Sequence, residues 1–203
     1  FNSKFAYLAT GFGVLALDLI KAEIKETYVV GTTGNEVPVY SVTTDGTYIY
    51  AAIAGGILRG EISNPSLNNF AEWQMVYPNT FTGVTFNKMC WLNGNLAVNF
   101  HSATADSVVI VNTTTFATGT TLLSGGFELR QLKTENNRLY AVNNYSVNEW
   151  DNNFQSLRQI YGSANYQNTD MFGIATGSGN QLYIADRNNG LVNYTDNNNI
   201  TFT

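Results

Sequence analysis

Short runs of alternating apolar and polar residues, each closed by a polar or glycine-rich turn, recur along the chain. Such alternation is typical of β-strands with one buried face. The clearest runs come in pairs around a turn, at 7–15, 50–58, 96–111, 139–147 and 182–192. Tyr7, Tyr50, Ala97, Tyr140 and Tyr183 are equivalent in these pairs and are 43, 47, 43 and 43 residues apart. The pattern predicts a repeated, strand-rich unit.

A period of about 40–45 residues with four short strands per unit is typical of a β-propeller blade. If the strands are named A to D from the propeller axis outward, the paired runs are strands B and C. Strand A is predicted at 39–44, 84–91, 128–132 and 171–175, and strand D at 27–30, 73–77, 118–123, 157–161 and 200–203. The predicted fold is all-β, a propeller of about five four-stranded blades whose first blade lacks its inner strand. The predicted units lie near 1–37, 38–82, 83–126, 127–169 and 170–203.

Two segments leave a helical alternative open. Residues 15–26 have a helix-forming composition, but Leu15, Leu17 and Leu19 alternate, and the repeat favours strands with a turn near 21–23. For residues 70–75 a helix is a weaker alternative to a strand. The dipeptides Asp45-Gly46 and Asn93-Gly94 predict type I′ hairpin turns, because both central residues of that turn need positive φ.

The strand count predicts a longer parent protein. The next strand after Thr203 would be the missing strand A of the first blade, and an open edge strand invites aggregation. We therefore expect the 203 residues to be a segment of a larger propeller or a longer chain, and a native mass near 22.3 kDa would count against this. The alternative is a small five-bladed propeller. No signal peptide is visible, and no apolar run reaches the ~18 residues of a membrane span.

Composition narrows the functional classes. Only 12% of the residues are charged and 44% are hydrophobic, which excludes a disordered chain. The net charge of −5 offers no basic surface for nucleic acid or an anionic membrane. The only cysteine, Cys90, lies between Met89 and Trp91 and is predicted to be a buried core thiol, so neither a disulfide framework nor a multi-cysteine metal site is expected.

The residues that support catalysis are sparse. The only histidine, His101, lies in the polar loop 100–107 with Ser102, Asp106 and Ser107. A solvent-facing loop of this kind would offer a Ser-His-Asp triad neither a buried Asp nor an oxyanion hole. A glycosidase or lyase would need a pair of carboxylates. The candidates are Asp45, Glu61, Glu128, Glu135, Glu149, Asp151 and Asp170. Acidic loops at 186–190 and 196–199 lack the spacing of a calcium loop and are interpreted as Asx turns. We predict no enzyme, no metal and no cofactor.

A binding surface is the remaining hypothesis. In a propeller the D–A and B–C connections lie on one face, around the channel mouth. Aromatic rings among Asn and Arg suit recognition of proteins or glycans. The candidate binding residues are Phe81, His101, Asn144, Tyr145, Tyr166 and Arg187. The same connections also carry Phe12, Asn35, Glu36, Asn79, Asn168 and Asp170.

The first units resemble a known family. The residues that carry the resemblance are 8–14 (Leu-Ala-Thr-Gly-Phe-Gly-Val), 17–19, 23–25, Thr27-Tyr28 and Gly31. This stretch, roughly 5–31, resembles the opening blade of PorZ-type proteins, surface components of the Bacteroidetes type IX secretion system. The remainder resembles the two-component-regulator propeller repeat, through 50–52 with Gly56-Ile57 and 183–186 with Gly190-Leu191.

The PorZ resemblance implies a non-enzymatic, exported protein at the cell surface, outer membrane or periplasm. It implies a role in protein secretion and in attaching cargo to the surface. Its expected partners are other secretion-system surface proteins or a surface glycan such as lipopolysaccharide. Two other hypotheses stay open: a periplasmic glycan-sensing propeller of a hybrid two-component regulator, and a propeller-type carbohydrate-active enzyme.

Overall fold

The computed structural model describes residues 4–195 and 200–202, which form strands arranged in five antiparallel sheets. Sheet 1 contains β1 (Phe5–Thr10), β2 (Gly13–Asp18) and β3 (Glu23–Tyr28). Sheet 2 contains β4 (Ser41–Thr44), β5 (Tyr48–Ile53), β6 (Gly56–Glu61) and β7 (Gln74–Pro78). Sheet 3 contains β8 (Thr85–Leu92), β9 (Asn95–His101), β10 (Asp106–Asn112) and β11 (Thr118–Gly125).

Sheet 4 contains β12 (Leu129–Glu135), β13 (Arg138–Asn143), β14 (Ser146–Trp150) and β15 (Ser156–Tyr161). Sheet 5 contains β16 (Met171–Thr176), β17 (Leu182–Asp186), β18 (Gly190–Tyr194) and β19 (Ile200–Phe202). In every sheet each strand lies beside the next strand along the chain. The described residues contain no α-helix, only a single 3₁₀ turn at Phe70–Glu72.

The predicted all-β fold is confirmed, and among the described residues the first sheet has three strands where the others have four, as predicted. Tyr7 lies on β1, the first strand of its sheet, whereas its equivalent Tyr50 lies on the second strand of a four-stranded sheet. Residues 15–26 form strands as the alternation indicates, but β3 begins at Glu23, four residues earlier than predicted. The turn before it is shorter because Ala22 adopts positive φ (55°). Of the last predicted strand, Thr203 lies outside the described residues.

The hairpin turns follow the sequence only in part. Asn93 and Gly94 both have positive φ (47° and 74°), as a type I′ turn requires. The type I′ prediction for Asp45-Gly46 is wrong, because only Gly46 has positive φ (93°). The carboxylate of Asp45 instead accepts the backbone N–H groups of Thr47 and Tyr48, at 2.8 and 2.7 Å. This Asx turn lengthens the hairpin by one residue.

The chain divides into two compact units. Residues 1–103 with 107–124 hold sheets 1 and 2 and nearly all of sheet 3, and residues 104–106 with 125–203 hold sheets 4 and 5. The five predicted unit boundaries stay a prediction.

Two apolar clusters hold the first unit together. Val14, Ala16 and Tyr28 of sheet 1 pack against sheet 2, and the opposite face of sheet 2 packs against sheet 3. Cys90 is buried as predicted, and burial raises the pKa of its thiol. It is therefore an unreactive core residue.

Apolar packing also joins sheets 4 and 5 in the second unit. One face of sheet 4, which carries Tyr140, Val142 and Val147, is covered by sheet 5. A side-chain anchor adds to this contact, because the Gln131 side-chain oxygen accepts the backbone N–H of Ile174 at 2.8 Å. The first unit has an anchor at the equivalent register position, where Ser41 Oγ accepts the N–H of Met89 at 2.9 Å. The side-chain hydrogen bond between neighbouring sheets is thus repeated at equivalent positions in the two units.

Sheet 4 carries one fully buried carboxylate. The Glu149 side chain lies between Arg138, at 2.5 Å, and Arg158, and it accepts the hydroxyl of Tyr140 at 3.2 Å. Arg158 also donates to the carbonyl of Asn180, at 2.8 Å, in the β16–β17 turn. Burial, together with Glu149, raises the pKa of Tyr140 to about 12. This network ties three strands of sheet 4 to the neighbouring hairpin.

Candidate functional site

Three loops of the second unit meet at one end of sheets 4 and 5. They are the β13–β14 turn, the β15–β16 connection and the β17–β18 turn, which in propeller terms are two B–C turns and one D–A connection. The N–H of Met171 donates to Asn144 O at 3.1 Å, and the N–H of Arg187 donates to Asp170 O at 3.0 Å. Asn188 Nδ2 adds a bond to Asn168 O at 2.7 Å. Sequence reasoning placed these loops on one face, and the structure joins them by hydrogen bonds.

The three loops are organised around a buried carboxylate, Asp186. It accepts the hydroxyl of Tyr166 at 2.8 Å and the N–H groups of Asp170, Asn188 and Asn189 at 2.9–3.0 Å. Burial alone would raise the pKa of Asp186, but these hydrogen bonds outweigh it and the pKa is lowered. Asp186 therefore fixes the loop geometry as an anion.

The interpretation of Tyr166 as an exposed binding residue is wrong. Its side chain is fully buried, and burial together with the bond to Asp186 raises its pKa. Its ring belongs to the apolar cluster between sheets 4 and 5. Tyr166 thus positions the β15–β16 connection from the protein interior, and its side chain is not accessible to a ligand.

Arg187, by contrast, projects outward. Its side chain is 65% exposed, with Nη1 3.2 Å from Asp170 Oδ2. The other oxygen of that carboxylate lies 2.5 Å from Nη1 of Arg130, which comes from β12. Both guanidinium groups stack on the ring of Phe172, with Arg130 at 4.0 Å and Arg187 at 4.6 Å from its centre. The four side chains Arg130, Asp170, Phe172 and Arg187 are named the stacked cluster below.

The neighbouring turn adds an aromatic side chain. Tyr145 is 45% exposed, its N–H is held by Asn143 Oδ1 at 2.9 Å, and its hydroxyl lies 3.4 Å from Gly126 O. The adjoining Asn144 is half-buried, and its Oδ1 has no hydrogen-bond partner. Because Asn144 also bonds Met171 through its backbone, the structure brings Asn144, Tyr145 and Arg187 into one loop cluster. These are three of the six predicted binding residues.

The remaining two predicted residues lie in the first unit. Phe81 is 46% exposed, but its ring contacts Phe100 at 5.4 Å between centres. His101 ends β9, is half-buried and pairs with Thr85. The ring of Phe81 thus packs in part against β9. A binding role for Phe81 and His101 stays a prediction.

The carboxylates considered for catalysis are all engaged in local structure. Asp45 and Asp151 cap turns through backbone N–H groups. The others pair with neighbouring side chains: Glu61 with Ser63, Glu128 with Arg130, Glu135 with Lys133, Glu149 with Arg138 and Arg158, and Asp170 with Arg130 and Arg187. The expectation that Asp106, of the possible triad, would not be buried is wrong, since it is 1% exposed, but its carboxylate accepts the N–H of Leu129 at 2.5 Å. Within residues 4–195 and 200–202, no group of three or more His, Cys, Asp or Glu is placed to hold a metal ion.

Comparison with solved structures identifies the fold class of the chain. The chain matches several solved structures over nearly its whole length. Among them is a chain of a nidogen–laminin complex at 11% identity and a TM-score of 0.65, where the match covers 96% of this chain and 72% of that one. The extracellular domain of a putative hybrid two-component system from B. thetaiotaomicron matches at 10% identity and a TM-score of 0.68, over 99% of this chain and 26% of that one. With the five meandering sheets, these matches define a β-propeller fold.

The similarity to a particular family model lies in the first part of the chain. Residues 1–74 match the model of the N-terminal β-propeller domain of PorZ of the type IX secretion system. PorZ of Porphyromonas gingivalis, described as an essential bacterial surface component of that system, matches the whole chain at 20% identity and a TM-score of 0.75. The two findings support a PorZ-type β-propeller. The chain spans about a quarter of the length of that PorZ chain. No curated protein matches the sequence.

The comparisons extend the resemblance found in the sequence from roughly 5–31 to 1–74. In the part of the chain that the structure describes, no helix is long and apolar enough to cross a membrane.

Proposed function

We propose that the protein is a non-enzymatic binding module of an exported, surface-associated PorZ-type component, with a role in protein secretion and attachment of cargo to the cell surface. The family match over residues 1–74 and the likeness to a bacterial surface component support this proposal. The engagement of each candidate carboxylate in local structure favours binding over catalysis.

The stacked cluster is the proposed ligand site, and an anionic surface glycan such as lipopolysaccharide is the proposed ligand. The single observation that carries this is the exposed guanidinium of Arg187, held in place by Asp170 and Phe172. A guanidinium has five N–H donors in a planar fork that matches phosphate and carboxylate groups. Because its rotation is already restricted by stacking, less entropy is lost when it binds an anion. Tyr145, on the adjoining turn, offers a ring for the apolar face of a sugar.

Binding of purified lipopolysaccharide to the full-length protein tests the proposal. We expect Arg187→Ala to weaken binding at least ~10-fold, since one charge-assisted hydrogen bond is worth about 1.5–3 kcal/mol. Arg59→Ala is the matched control, because Arg59 also stacks on aromatic rings, Tyr48 at 4.4 Å and Phe116 at 5.3 Å, but in the first unit. Equal loss in both variants, or no binding by the unmodified protein, would contradict the proposal.

A second candidate function is sensing of glycans by a hybrid two-component regulator. It is favoured by the structural likeness to the extracellular domain of such a system, at a TM-score of 0.68. The sequence of the complete gene distinguishes the two functions. A membrane-spanning helix followed by a kinase domain would select the sensor, and a second propeller with a terminal β-sandwich would select the secretion component.

A further inference from the structure

A small polar cavity lies in the second unit, at the end of sheets 4 and 5 opposite the stacked cluster. The β12–β13 and β16–β17 turns line it, whereas Arg187 of the stacked cluster follows the other end of β17. Its volume is about 110 Å³, well below the ~300 Å³ of the smallest pockets for drug-sized ligands, so it suits a single charged group. The polar side chains that line it include Asn136, Arg138, Arg158, Thr176 and Gln181.

The side chains at this cavity carry an excess of positive charge. Arg138 and Arg158 are 31% and 15% exposed, and the fully buried Glu149 is bonded by both. Two positive charges and one negative charge leave these three side chains with a net charge of +1. Glu135, beside the β12–β13 turn, is paired with Lys133 at 2.8 Å, so that pair does not cancel the excess.

The repeat indicates that the fold does not need this charge. The equivalents of Arg138, Glu149 and Arg158 on the second, third and fourth strands are Gln181, Asn193 and Thr201 in sheet 5, and Tyr48, Arg59 and Gln74 in sheet 2. In sheet 5 a neutral bond, from Gln181 Nε2 to Asn193 Oδ1 at 2.7 Å, replaces the ion pair of sheet 4. A sheet of this repeat thus fills these positions with one charge or none. The two guanidinium groups of sheet 4 therefore indicate a role beyond folding.

Both guanidinium groups are held in place before a ligand binds. Arg138 donates from Nη1 to Glu149 at 2.5 Å, and Arg158 donates from Nη2 to the carbonyl of Asn180 at 2.8 Å. The hydrogen bond to Glu149 also raises the pKa of Arg138, which keeps its charge. A guanidinium has five N–H donors in a planar fork that matches an oxyanion. Because these forks are already oriented, less conformational entropy is lost on binding.

We propose that this cavity is a binding site for a phosphate group, either the free ion or a monoester carried by a larger molecule. Arg138, the more exposed of the two arginines, contacts the oxyanion from the cavity mouth, and Arg158 contacts it from the more buried side. The side-chain amides of Asn136 and Gln181 add neutral N–H donors at the wall. The site is separate from the stacked cluster, since it uses none of its residues and lies at the other end of the sheets.

Isothermal titration of the native-length protein with inorganic phosphate, at constant ionic strength, tests the proposal. We expect saturable binding that Arg138→Gln weakens at least ~10-fold, since a charge-assisted contact is lost. This change keeps an amide donor for Glu149, which stays paired with Arg158. Arg59→Gln is the matched control and should bind as the unmodified protein does, because it removes a half-buried guanidinium in the first unit.

Four results would overturn the proposal: no saturable binding, undiminished binding by Arg138→Gln, equal losses in Arg138→Gln and Arg59→Gln, or binding that only Arg187→Gln abolishes. If Arg138→Gln fails to fold, Asn136→Asp replaces it. That change puts a negative charge on an exposed turn residue at the cavity wall, so the same loss is expected. Glucose 6-phosphate is the second probe: displacement of inorganic phosphate supports a monoester as the ligand, and no displacement supports the free ion.

Discussion

Replacing Glu149 with glutamine is expected to lower the free energy of unfolding by about 3 kcal/mol. Glutamine keeps the size of the side chain and its acceptor for Tyr140, but it removes the negative charge between Arg138 and Arg158. Each charge-assisted hydrogen bond is worth about 1.5–3 kcal/mol. Breaking a buried ion pair by removing one partner costs about 3–5 kcal/mol, because the other charge is left uncompensated.

The lower end of that range applies here. The Glu149 side chain is fully buried, but Arg138 and Arg158 are 31% and 15% exposed, so water recovers part of their solvation. Urea unfolding followed by tryptophan fluorescence measures the loss. With a slope of about 2 kcal/mol per molar urea, the midpoint moves down by about 1.5 M.

Glu61→Gln is the matched control for this experiment. Glu61 ends β6 and is exposed, and it bonds the hydroxyl of Ser63 at 2.7 Å. An exposed change of this kind stays within about 0.5 kcal/mol. A loss below about 1 kcal/mol for Glu149→Gln, or one equal to that of Glu61→Gln, would refute the view that the buried carboxylate holds this sheet to its neighbour.

Three further changes test other parts of the structure. Gly56→Ala should lower the free energy of unfolding by more than about 2 kcal/mol, because φ is 141° and a Cβ would lie 2.2 Å from a carbonyl oxygen of β7. The control is Gly11→Ala, whose Cβ meets open space and which should lower the free energy of unfolding by less than about 0.5 kcal/mol. Equal losses for the two variants in urea unfolding would contradict this prediction. The lowered pKa of Asp186 stabilises the fold above pH about 4, and this contribution is lost as the pH falls through the lowered value. Acid unfolding of Asp186→Asn should therefore be less steep below pH about 4, and an unchanged slope would count against the assignment. Gln131→Leu removes the acceptor of the Ile174 N–H, so hydrogen exchange of that amide should accelerate while the rest of β16 is unchanged; no acceleration would show that the anchor is dispensable.

The strands were predictable because alternation and the repeat point to the same segments. Tyr7, Tyr50, Tyr140 and Tyr183 mark equivalent strands both in the sequence and in the sheets. The start of β3 was missed because Ala22 adopts positive φ. Positive φ can be expected from the sequence at Gly or Asn, but not at Ala.

The candidate site was predictable only in outline. Loop position alone identified Arg187 and Tyr145, but it gave no sign that Tyr166 turns inward to a carboxylate 20 residues away. Arg130 and Phe172 were missed because they lie within strands. Each lies at a register shift, where a β-bulge changes the direction of one side chain. The alternation of apolar and polar residues does not show where such a bulge occurs.

The meander order of the sheets has a consequence for synthesis on the ribosome. Since every strand lies beside its neighbour in sequence, all hydrogen-bond partners of sheet 4 are available once residues 129–161 have emerged. Contacts of such short sequence separation form quickly and do not wait for distant segments. The chain can therefore fold as it is translated, because each sheet can form once its own strands have emerged. The aggregation-prone interval is then limited to the time needed to translate one repeat.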